Sequence, residues 1–129
     1  MTVNPALKAY VEAEILPRYT HFDKAHQLDH IETVIRQSAA LYDMLSAQGI
    51  ALDPDMVYTI AAYHDLGIVN GRENHHTDSG KILMADPELK KYFTEEQLFT
   101  MKEAVEDHRA SSKNEPRSSF ISRSSSGIS

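Results

Sequence analysis

Cysteine is absent from the 129 residues. Its absence excludes a disulfide framework, a thiolate zinc site and a cysteine nucleophile, and it suits a reducing compartment. Tryptophan is absent as well. No apolar run approaches the roughly 20 residues of a membrane-spanning helix. The opening MTVNPALKAY has no basic stretch followed by an apolar one, so no signal peptide is expected. A cytoplasmic chain without a membrane partner is the expectation. Basic residues are outnumbered, 13 against 19 acidic, for a formal net charge of −6. That balance disfavours nucleic acid as the main partner. What is present fits a soluble globular chain: hydrophobic residues make up 41% and charged residues 25%, in a length suited to one domain with a core of its own. Seven histidines stand out, because most fall in patterned contexts.

No internal repeat is visible, no segment alternates in the manner of a strand, and most of the chain reads as helix. Asn4 and Pro5 suit an N-cap and first helical position for residues 5 to 16, with Pro17 as the stop. From about Asp23 to Gln48, Ile31, Val34, Ile35, Ser38, Leu41, Tyr42 and Leu45 recur at three- and four-residue steps. That is one face of a long amphipathic helix, and Gly49 ends it. Asp53-Pro54 opens the next, whose inward stripe is Val57, Ile60, Ala61 and His64, with Gly67 closing it. A loop follows over 67–75, then a short helix over about 76–85, broken at Pro87. Thr94 with Gln97 suits a capping box for a last helix to about Arg109, with the stripe Leu98, Met101, Val105 and His108. The expected fold is all-α, a single-domain bundle of five or six helices over residues 1–110. Residues 111–129 change character: seven of the last 13 are serine. This divergent tail reads as disordered or as exchanged between copies.

Three of these helices carry one histidine on or beside their inward stripe: His30, His64 and His108. His76 starts a fourth, with His75 before it. His26 lies one turn before His30, at the spacing that puts two side chains on one face. Each taken singly fits a core or solvated histidine better than a ligand. Together with Asp65 they form a mixed nitrogen and oxygen donor set if the stripes meet, a device common in helical bundles.

The order AHQLDHIETVI, AAYHDLG, HHTDSGKIL, VEDHR resembles the HD-domain superfamily of metal-dependent phosphohydrolases, especially its small single-domain bacterial members. The resemblance covers roughly residues 20 to 117. It implies an HD-domain-like helical fold with a divalent metal inside the bundle (Mn, Fe, Zn, Co, Ni or Mg). It also implies hydrolysis of a small phosphorylated substrate, a phosphate ester such as a nucleotide. Position by position, His30 matches the first ligand and His64 with Asp65 the HD pair. His76 and His108 match the histidines that bind a second metal or contact phosphate, with His75 the alternative to His76. His26 matches a histidine often seen before the first ligand. Asp65 is the candidate to orient the nucleophile. Arg109, Lys24 and Arg72 are the leading candidates to neutralise substrate phosphate, with Lys81 and Arg117 behind them.

The chain departs from the family at its end. Members close the primary site with an aspartate on a further helix, whereas no aspartate follows Asp107 here. The stretch after Pro116-Arg117 reads as a sequence cut short or shifted in frame. The missing carboxylate weighs against activity and keeps open a second reading, a non-catalytic metal- or nucleotide-binding module. An uncovered bundle face would also favour homo-oligomers through the C-terminal face.

Overall fold

The computed structural model describes residues 1–21, 28–70 and 75–107. Lys24, His26, Arg72, His108, Arg109, Arg117 and the tail 111–129 lie outside the described residues. Within them the chain is an all-α, single-domain bundle of five α-helices with no strand. The helices are α1 (Pro5–Tyr10), α2 (Leu28–Ala47), α3 (Pro54–Tyr63), α4 (His75–Ala85) and α5 (Glu95–Asp107). None of them is long and apolar enough to cross a membrane.

The first helical segment does not stop at Pro17. It passes from α1 into a π-helical turn, Val11–Ile15, and then a 3₁₀ turn, Leu16–His21. The cause is in the spacing. Leu7, Val11, Ile15 and Tyr19 recur every four residues, and all four are fully buried. In an α-helix of 3.6 residues per turn a four-residue repeat drifts about 40° per step. A π turn is wider and absorbs that drift, keeping the four side chains on one line against the core. Asn4 caps α1 through its side-chain oxygen on the Ala6 N–H, 2.9 Å, and its own N–H donates to Asp55 Oδ1 at 2.8 Å. The segment is thereby pinned to the start of α3.

Helix α3 sits at the centre, packed by α2, α4, α5 and the N-terminal segment. No residue of it is fully exposed. Met56, Tyr58, Thr59, Ala61, Ala62 and Tyr63 are all buried, while the expected stripe residues Val57 and Ile60 are only half-buried. Asp53 accepts the Asp55 N–H at 2.9 Å as N-cap, with Pro54 at the first position. The helix ends at Tyr63, and His64 is its C-cap residue. A 3₁₀ turn, Leu66–Asn70, follows the His64-Asp65 step.

Helix α2 buries only Ile31 completely; Val34, Ile35, Ser38, Leu41, Tyr42 and Leu45 are half-buried, so its stripe is real but shallow. Gly49, at φ +87°, supplies the left-handed residue that ends it. In α5 the stripe Leu98, Met101 and Val105 is buried as expected. Its capping box is complete: the Gln97 N–H donates to Thr94 Oγ1 at 3.1 Å and the Thr94 N–H to Gln97 Oε1 at 2.9 Å.

Candidate metal centre

The end of α3 carries the candidate site. His64 and Asp65 are 5% and 4% exposed. The His64 Nδ1 lies 2.7 Å from the Ala61 carbonyl oxygen. A carbonyl only accepts, so Nδ1 carries the hydrogen and Nε2 is the atom left to bind a cation when the ring is neutral. That Nε2 stands 3.3 Å from Asp65 Oδ2. Burial by itself pushes the His64 pKa down, but the Asp65 carboxylate and the Ala61 carbonyl outweigh it and hold the pKa above the ordinary histidine value.

Three segments meet at Asp65. His30, in the first turn of α2, places Nε2 3.7 Å from Asp65 Oδ2. His75, the first residue of α4, places Nε2 3.5 Å from Asp65 Oδ1. The His30 and His64 ring centroids are 6.4 Å apart. His76 packs its ring at 3.8 Å from that of His75. Two groups with the geometry to hold a metal ion result: His30, His64 and Asp65, and Asp65, His75 and His76, with the ligand atoms of each group within 4.8 Å of one another. Asp65 belongs to both, one carboxylate oxygen toward each side. His30 is 43% exposed at its side chain, against 6% for Asp65, so the first group opens to solvent on the α2 side.

The expected residues His30, His64, Asp65 and His76 are thus brought together, and His75 joins them as a member of the cluster in its own right. Lys81 is exposed on α4. Tyr19 is a supporting residue that the sequence reading did not single out. Its hydroxyl, fully buried, donates to the Ala62 carbonyl at 2.6 Å, satisfying one of the carbonyls a helix C-terminus leaves over. Its only sequence signal is membership of the four-residue apolar repeat, which reads as core.

No family model, no curated protein and no solved structure matches this chain.

Proposed function

We infer that the chain is a metal-dependent phosphohydrolase of the HD-domain type, acting on a phosphate ester such as a nucleotide. What supports this most directly is a buried carboxylate, Asp65, shared by two groups of imidazoles from three helical segments. A donor set of imidazole nitrogens with one carboxylate fits Mn²⁺, Fe²⁺, Co²⁺, Ni²⁺ or Zn²⁺; Mg²⁺, which prefers oxygen, fits it least. When bound, such a cation lowers the pKa of coordinated water toward neutrality and polarises phosphoryl oxygens. The protein's own part is positional. His64 offers Nε2 because its Nδ1 hydrogen is committed to Ala61. Asp65 sets the spacing of the two groups and orients the attacking water. The exposed side chain of His30 would give a small substrate access to the first group from the α2 side.

A second reading is favoured by one observation, that no aspartate follows Asp107. Without a further carboxylate the same residues would form a non-catalytic metal- or nucleotide-binding module. Metal analysis combined with assays on a generic phosphomonoester and a panel of nucleotides separates the two. The enzyme reading expects bound transition metal and turnover that His64→Ala abolishes. Metal without turnover supports the binder, and no metal under any loading condition points to a plain helical bundle or to a site spoiled by the altered tail.

A further inference from the structure

Four polar side chains are buried among the described residues: Thr59, His64, Asp65 and Ser79. The Thr59 hydroxyl donates to the Asp55 carbonyl one turn back, at 2.8 Å. His64 and Asp65 belong to the centre already described. Ser79 is different. It is fully buried, and its hydroxyl is bonded out of its own helix, accepting the Gly67 N–H at 2.7 Å. Gly67 stands two residues after Asp65. Ser79 stands one turn after His75, on the same face of α4. The bond joins the turn that carries Asp65 to the helix face that carries His75.

Sterics point the same way. A Cβ at Gly67 would lie 2.1 Å from the His75 carbonyl oxygen, 2.6 Å from the Ser79 nitrogen and 2.8 Å from Asp78 Cβ. All three atoms belong to the first turns of α4, and two are backbone atoms that cannot swing aside. Helix α4 rests directly on the Gly67 backbone, closer than a residue with a side chain permits.

We propose that Gly67 and Ser79 form a latch that positions His75 and His76 against Asp65 and so builds the second cation group. Neither residue is itself a ligand; both are positioning residues. The inference rests on the metal-centre reading above. Its content is that the two groups are separable: His30 and His64 reach Asp65 from α2 and α3, whereas His75 and His76 reach it only because α4 is held down on the turn.

The test is Co²⁺ titration of the full chain, read by calorimetry and visible absorption, alongside thermal unfolding followed by circular dichroism. Wild type is expected to take two Co²⁺ per chain. Ser79→Ala is expected to keep one at unchanged affinity and to weaken the other about 10- to 100-fold, the usual effect of removing a group that orients a ligand. Gly67→Ala is expected to lose the second ion outright. If that variant fails to fold, Ser79→Ala carries the test. Ser79→Ala binding both ions as tightly as wild type overturns the latch. So does equal weakening of both ions, which is what a merely structural role would give. A wild type with one ion overturns the latch and leaves the hydrolase reading standing; a wild type with none overturns both.

Discussion

Burying a carboxylate without compensation is expensive, and Asp65 meets that cost with imidazoles: His64 at 3.3 Å, His75 at 3.5 Å and His30 at 3.7 Å. In the proposed centre each imidazole would serve twice, as a partner to the carboxylate and as a nitrogen donor for a cation. The shared position of Asp65 makes a prediction at the level of single side chains. Asp65→Asn should weaken cation binding at both groups, by about a hundredfold or more, since removing a ligand costs at least as much as removing its support. His30→Ala should weaken only the group that opens to solvent, and His75→Ala only the other. Calorimetric titration with Mn²⁺ or Co²⁺ checks all three; equal effects from His30→Ala and His75→Ala would contradict two distinct groups.

Between elements, Asp86 is the main polar knot away from the centre. Tyr10 of α1 and Tyr63 of α3 both donate to its Oδ2, at 2.7 and 2.6 Å. Its Oδ1 accepts the Glu88 N–H at 2.9 Å, capping the 3₁₀ turn Pro87–Lys91. Three elements are joined by one carboxylate. Asp86→Ala should cost at least about 3.5 kcal/mol, from two hydrogen bonds to a charged group at about 1.5 kcal/mol or more each and a lost cap at about 0.5 kcal/mol or more; urea unfolding measures it. The same knot sets an alkaline limit. Burial and the Asp86 carboxylate push the Tyr10 pKa up to about 12, and burial with the same carboxylate raises that of Tyr63. An unfolded tyrosine ionises near pH 10. The unfolded state therefore releases protons first, and stability should fall as pH rises from about 10 toward 12. Tyr10→Phe should flatten that decline while lowering stability at pH 8. Unfolding free energies across this range test the sign, and an unchanged slope in the variant would refute it.

At the scale of the whole molecule, Phe99 on α5 and Met44 on α2 are the large apolar side chains left half-exposed among the described residues. Phe99 lies on the helix that leads toward the C-terminal segment, with the Lys102 ammonium 5.7 Å from its ring centre. We propose that the chain self-associates through the exposed side of α5 around Phe99, and Phe99→Glu should then reduce that association. Small-angle scattering over a concentration series reads the outcome, and a monodisperse wild-type monomer would count against it.

Much of the architecture was legible in the residues because its signals are local. A cap reads its own first turn: Asp53 before Pro54, and Thr94 with Gln97, marked helix starts that the structure keeps. Gly49 marked an end for a similar reason, since the left-handed conformation there suits a residue without a side chain. The α5 stripe was legible because that helix has one apolar side and one wet one. The burial of α3 was not. Periodicity reports which face of a helix is apolar, whereas a helix packed by several neighbours is buried around much of its circumference and its pattern blurs. The π turn is an intermediate case, written in the four-residue repeat but visible only once all four side chains are seen to share a core. The candidate site divides along the same line. The sequence by itself determined that histidines and an aspartate stand at helix ends and on inward stripes. Only tertiary structure decided that His75 as well as His76 meets Asp65, and that Ser79 closes on Gly67. Those contacts join residues whose distance depends on how one helix rests on another, and no local spacing encodes that.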